Sequence, residues 1–163
     1  MAMHVLVERL NINYKTLEEF RKFRENGLEE LSMLEDLQAN LIEDNSSSPF
    51  YGIYHDGKLV ARMSLYPIEA RFDRYFTPPR DHYELWKLEV LPGYKGRGYG
   101  RALVNHAKSL GRPIKTNVRY GAQDFFVKLG FRPLKYSPTR DRGENPYVWI
   151  PQEQTEEDAT RLR

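Results

Sequence analysis

The feature that most constrains this chain is a run of four glycines within eight residues: Gly93, Gly96, Gly98 and Gly100. They lie in Glu84-Leu-Trp-Lys-Leu-Glu-Val-Leu-Pro-Gly-Tyr-Lys-Gly-Arg-Gly-Tyr-Gly-Arg-Ala-Leu-Val104, which reads as an apolar strand, a turn and the opening of a helix. With no side chains to shield it, such a backbone can bring several N–H groups to one point. The helix that follows directs its positive dipole end at the same point. Lys95, Arg97 and Arg101 add cationic side chains. The segment is built to seat a phosphate-bearing ligand.

Spacing narrows the kind of ligand. A nucleoside-triphosphate loop needs Gly-x-x-x-x-Gly-Lys-Ser/Thr, and the chain contains no Gly-Lys-Ser/Thr. A dinucleotide fold needs Gly-x-Gly-x-x-Gly with an acidic residue about 20 positions on. Here the glycines alternate, and the corresponding region is Lys115 to Arg119. What remains is Lys95-Gly-Arg-Gly-Tyr-Gly100. This segment resembles the signature of the GNAT family of acetyl-CoA-dependent N-acyltransferases, Arg/Gln-x-x-Gly-x-Gly/Ala after the fourth strand. Lys95 stands where that family usually has Arg or Gln.

A second block points the same way. Ala122-Gln-Asp-Phe-Phe-Val-Lys-Leu-Gly-Phe-Arg-Pro133 resembles the family's later helix, Ala-x-x-x-Tyr-x-Lys-x-Gly-Phe. Ala122, Phe125, Phe126 and Leu129 fall at i, i+3, i+4 and i+7, one face of a helix. Gly130 stands where a helix ends in a left-handed residue, and Phe131 opens a new extended segment. The two blocks cover the chain from Glu84 to Pro133.

Composition sets outer bounds. A chain of 163 residues with 40% hydrophobic and 13% aromatic content suits one globular domain over 1–150, followed by a charged tail over 151–163. The net charge of +2 requires neither a nucleic-acid nor a membrane partner. Zero cysteines remove disulfides, thiolate metal sites and a cysteine acyl-enzyme. No apolar run approaches the ~18 residues of a membrane span, and the opening residues lack a signal-peptide core. The expectation is a soluble cytoplasmic protein without a metal.

Along the chain, His4 to Leu10 alternates like a first strand, and Thr16-Leu-Glu-Glu19 reads as a capping box with Leu17 and Phe20 inward. Leu28, Leu31, Leu34, Leu37 and Leu41 predict a second helix, which Asn45 to Pro49 breaks. Phe50 to His55 and Lys58 to Tyr66 predict two strands joined by an Asp56-Gly57 hairpin turn. Tyr147 to Ile150 looks like a last strand. The order matches the family's α/β (α+β) fold: a mixed, strongly twisted sheet of six or seven strands flanked by about four helices. Its fourth and fifth strands would run parallel.

The resemblance also implies a chemistry and a site. It implies direct acetyl transfer from acetyl-CoA to an amine, small or on a protein, with no protein nucleophile. The backbone of Leu88 and Val90 would pair with the pantetheine amides, with the Leu88 N–H as oxyanion donor. The pyrophosphate of coenzyme A would rest on the N–H groups of Gly96, Arg97, Gly98, Tyr99 and Gly100, helped by the Lys95 and Arg97 side chains. Counting back from the loop, Glu84 falls on the position of the base glutamate of histone-type members. It shares a strand face with Trp86, Leu88 and Val90, and Glu89, on the opposite face, is a second candidate.

Two departures bear on mechanism. Phe126 occupies the position where many members have a tyrosine beside the CoA sulfur, the general acid for the leaving thiolate. Either the thiolate leaves unaided or another hydroxyl, Tyr99 or Tyr120, substitutes. Arg119 replaces the asparagine that often opens this helix, and Asn117 could supply a similar contact to pantetheine. An N-acetyltransferase and a non-catalytic acyl-CoA-binding module both fit these residues, as do a monomer and a homodimer. The segment Ile68 to Asp81, with Arg71, Arg74, Arg80, Phe72, Tyr75, Phe76 and the Pro78-Pro79 break, reads either as a surface excursion or as a lid shaping the acceptor site.

Overall fold

The computed structural model describes residues 5–11, 13–25 and 48–152. Within them a seven-stranded mixed sheet runs in the order β1-β2-β3-β4-β5-β7-β6. The strands are β1 (Glu8–Arg9), β2 (Phe50–His55), β3 (Lys58–Ile68), β4 (His82–Val90), β5 (Ile114–Asn117), β6 (Arg132–Pro133) and β7 (Pro146–Trp149). The described α-helices are α1 (Tyr14–Glu25), α2 (Tyr99–Ser109), α3 (Gln123–Lys128) and α4 (Pro138–Asp141). The chain forms two compact units, one of residues up to Leu65 with Lys87–His106, the other of Tyr66–Trp86 with residues from Ala107 onward.

In the first unit, the β2–β3 hairpin follows from Asp56-Gly57, whose φ angles of 51° and 76° give the two left-handed residues that a tight hairpin requires. β3 runs two residues beyond the expected end at Tyr66. Helix α1 opens earlier than the Thr16 capping box predicts. Asn13 is the cap: its Oδ1 accepts the Thr16 N–H at 3.0 Å, and the helix starts at Tyr14. Thr16 instead donates its hydroxyl to the Asn11 carbonyl. Leu17 and Phe20 do face inward, in a cluster with Leu10, Phe23, Phe50, Leu59 and Leu91. Phe20 meets Phe50 edge-to-face at 5.6 Å. The first strand is shorter than the alternation from His4 to Leu10 predicts: Glu8–Arg9 pairs with β2, whereas residues 5–7 and Leu10 are not strand, and His4 lies outside the described residues. The helix expected from Leu28 to Leu41 lies outside the described residues.

In the second unit, β4 and β5 run parallel, in register at Tyr83/Ile114, Glu84/Lys115 and Leu85/Thr116. Thr116 Oγ1 donates to the Leu85 carbonyl at 3.0 Å across that pair. β7 pairs antiparallel with both β5 and β6. Helix α3 ends as its sequence requires. Gly130 takes φ 88°, its N–H donates to Val127 O, and the Phe131 N–H reaches back to Phe126 O, the two bonds of a Schellman cap. Lys108 Nζ donates to the Leu129 carbonyl beside the Trp149 ring, and burial pushes this amine's pKa down.

The 68–81 excursion is organised by two carboxylates: Asp81 Oδ1 accepts the Ala70 N–H at 2.8 Å, and Asp73 does more. Asp73 accepts the N–H groups of Tyr75 at 2.8 Å, Phe76 at 3.2 Å and Arg80 at 3.0 Å. Its cations stack on rings of the same segment: Arg71 on Phe72, Arg74 on Tyr75 and Arg80 on Phe76. Among the described residues no helix is long and apolar enough to cross a membrane.

Candidate functional site

The glycine loop lies in the first unit and is pinned at both ends. Leu91 is buried in the core and donates its N–H to Val60 O at 2.8 Å. The Tyr94 N–H closes a turn onto Leu91 O at 3.1 Å, and its ring packs against the core cluster. Lys95, Gly96, Arg97 and Gly98 then lie exposed. Tyr99 turns back inside, 5% exposed, with its hydroxyl 3.3 Å from His55 Nδ1.

Between those anchors the backbone is bare. Gly96 and Gly98 take φ angles of 77° and 87°, a region that L side chains rarely adopt. A Cβ built on either would meet nothing within 4 Å. These glycines therefore answer to backbone torsion and an open face, not to crowding. The Gly98 carbonyl accepts the Ala102 N–H at 3.0 Å, so Gly98 caps α2 and has no side chain to satisfy the first turn. Among the described residues, the N–H groups from Lys95 to Arg101 have no hydrogen-bond partner. A run of unpaired donors at a helix N-terminus is an anion seat. Arg97 holds its guanidinium 5.0 Å from the Tyr94 ring centroid, at the edge of that seat. Leu88 and Val90, on the strand leading into the loop, are half-buried.

The same unit contains Glu89. Its carboxylate pairs with Arg62 Nη2 at 2.9 Å, with side chains 10% and 2% exposed. The Arg62 guanidinium is also stacked on Phe20 and Phe23, at 4.8 and 4.3 Å. This carboxylate is committed to an internal pair.

The second unit contains Glu84, Asn117, Tyr120 and Phe126. Glu84 Oε1 accepts from Lys115 Nζ at 3.0 Å, and its side chain is 25% exposed. Lys115 is 1% exposed and also donates to Glu144 Oε2 at 3.2 Å. Its Nζ lies 4.5 Å from the Tyr75 ring centroid. Asn117 is exposed, and its Oδ1 accepts the Asn145 N–H. Phe126 is buried, edge-to-face with Phe125 and Phe131. Tyr120 is 99% exposed. Among the described residues no cluster of His, Asp and Glu could hold a metal ion.

Sequence reasoning missed the supports of both halves. His55 and Tyr94 steady the loop, but His55 is 44 positions from Tyr99, and nothing in the local pattern joins them. Lys115 and Glu84 are 31 positions apart. A lysine between Ile114 and Thr116 in a short strand is the signal that was available.

Comparison with known proteins gives the family. The profile of the Acetyltransferase (GNAT) family matches residues 13–131. An uncharacterized N-acetyltransferase of Brevibacillus brevis is 68% identical over 146 residues, 90% of this chain and 94% of that protein. The crystal structure of the Bacillus subtilis N-acetyltransferase YlbP in complex with coenzyme A is similar at 59% identity. It covers 91% of this chain and 97% of that one, with a TM-score of 0.77. The PaiA N-acetyltransferase of Thermoplasma acidophilum, at 16% identity and a TM-score of 0.63, shares the fold. The chain belongs to the GNAT acetyltransferase family and is an N-acetyltransferase.

Proposed function

We propose that this chain binds acetyl-CoA by its pyrophosphate at the glycine loop and transfers the acetyl group directly to an amine. The observation that carries the reading is the run of N–H groups from Lys95 to Arg101 without a partner among the described residues. Unpaired donors cost little in water and gain strong charge-assisted hydrogen bonds when a diphosphate arrives. Lys95 and Arg97 supply countercharge. The similar YlbP structure contains coenzyme A, which favours the same ligand here.

In this reading the thioester carbonyl lies against the Leu88 N–H, and Val90 continues the backbone pairing with pantetheine. The amine nitrogen attacks the carbonyl carbon, and the oxygen gains charge that the Leu88 N–H stabilises. The C–S bond then breaks and the thiolate departs. Glu84 takes the proton that the nitrogen must lose, directly or through water. Asn117 contacts the pantetheine arm, and Phe126 offers an apolar surface near the sulfur. Phe126 has no proton for the thiolate, the Tyr99 hydroxyl is engaged with His55, and Tyr120 is almost fully exposed. The thiolate therefore leaves without a protein acid, as its modest basicity permits.

The test is calorimetric titration with CoA and acetyl-CoA beside a Gly98→Glu variant, followed by acetyl transfer to a panel of small amines and peptide N-termini. Micromolar binding that the variant abolishes supports the site. Equal affinity in the variant overturns it.

A further inference from the structure

We propose that Lys115 is a positioning residue for acetyl transfer: it holds one oxygen of the Glu84 carboxylate and leaves the other to the acceptor amine. The inference rests on the reading of Glu84 given above. Lys115 is in direct register with Glu84 on the parallel β4–β5 pair and with Val148 on the other side. A lysine in such a strand, 1% exposed, is costly unless its ammonium is fully partnered. Its donors go to Glu84 Oε1, to Glu144 Oε2 and toward Tyr75. An ammonium has three donors, so none is left over for a substrate.

The carboxylate is in the opposite state. Glu84 Oε1 is taken, whereas Oε2 has no hydrogen-bond partner among the described residues, and the side chain is 25% exposed. A buried cation thus anchors a carboxylate that remains open on one side. The groups facing Lys115 come from every neighbouring element: Glu84 on β4, Tyr75 in the excursion, Glu144 before β7, and Asp141 of the Arg140–Asp141 pair on α4. Burial pushes the Lys115 amine down, Glu84 and Tyr75 pull it up, and the upward pull prevails. Lys115 is therefore held as an ammonium more firmly than an ordinary lysine, which suits it to orient Glu84 rather than to exchange protons. The 68–81 excursion acquires a purpose through Tyr75, which closes the far side of this cation.

The test combines kinetics with a direct view of the ammonium. Benzylamine, spermidine and an alanine-terminated peptide serve as acceptors for wild type, Lys115→Met, Lys115→Arg, Glu84→Gln and the Glu84→Gln/Lys115→Met pair. Lys115→Met should lower kcat about 10- to 100-fold with KM for acetyl-CoA unchanged, as for a displaced catalytic group. Lys115→Arg should recover most of the rate. In the Glu84→Gln background, Lys115→Met should cost nothing further, because its effect passes through Glu84. A full additional loss in the double variant, or unchanged kcat in Lys115→Met, overturns the proposal.

If wild type acetylates none of these probes, the function reading fails first, and a second readout decides the positioning claim. The 15N ammonium signal of Lys115, identified by its absence in Lys115→Arg, should titrate at lower pH in Glu84→Gln. An unmoved midpoint overturns the pairing. The same signal decides the case if Lys115→Met does not fold.

Discussion

Two glutamates five residues apart on one strand meet buried cations in different ways. Glu89 pairs with Arg62 in a closed setting: both side chains are nearly inaccessible, and the guanidinium lies against two phenylalanine rings. Glu84 pairs with Lys115 in an open one: the lysine is buried, but Glu84 is a quarter exposed and Glu144, its second partner, is 45% exposed. Arginine's planar fork suits the stacked, closed pair, whereas the open pair places a buried cation where several acceptors converge. The closed pair serves packing beneath α1. The open pair leaves one carboxylate oxygen accessible, the one to which the proposed mechanism gives the proton.

The largest expected effect lies in the closed pair. Glu89→Ala strands a buried guanidinium, so urea unfolding should show a loss of about 3–5 kcal/mol. A loss under ~1 kcal/mol would mean that water reaches Arg62 and that the two pairs do not differ. Next comes the loop. Gly98→Glu puts an L side chain at φ 87° and a negative charge into the proposed anion seat. CoA affinity should fall at least ~100-fold, about 2.7 kcal/mol, while Glu89 and Glu84 keep their partners. Glu84→Gln should then separate the two glutamates most sharply. It leaves Lys115 with Glu144, so stability should drop by only about 1–2 kcal/mol, while acetyl transfer falls ~100-fold or more. A variant with full rate at every pH removes Glu84 from the mechanism.

The smallest effect is on pH dependence. Lys115 has its folded pKa raised, so the stability it contributes is complete below the ordinary lysine range and is lost as pH rises through the raised value. Wild type should lose stability in that alkaline window, and Lys115→Met should lack that component. Matching alkaline denaturation profiles for the two proteins would show that the open pair is not coupled to folding.

How much of this was legible in the sequence depends on the distance over which each interaction acts. The glycine loop, the Asp56-Gly57 hairpin and the Gly130 helix end are torsional demands met within a few residues, so spacing alone exposes them. The start of α1 was misplaced because Asn13 and Thr16 are both good caps, and Glu19 made the later one look complete. The ion pairs were invisible for another reason. Arg62 lies in Leu59-Val-Ala-Arg-Met-Ser-Leu65, a run buried along its length, and a lone cation there announces a buried partner without naming it. Choosing among all the carboxylates of the chain requires knowing which strands are neighbours. Lys115 presents the same difficulty, since only the β4–β5 register selects Glu84.

The anchoring of the glycine loop through Leu91, Tyr94 and Tyr99 has a kinetic consequence. A flexible loop must be ordered as its ligand arrives, and that ordering reduces affinity and slows association. Here core contacts at Leu91, Tyr94 and Tyr99 fix both ends of the segment beforehand, so on the proposed reading little of it remains to be ordered when the ligand arrives. Capture should be as fast as diffusion and a cationic rim permit, and residence time alone should set the strength of binding.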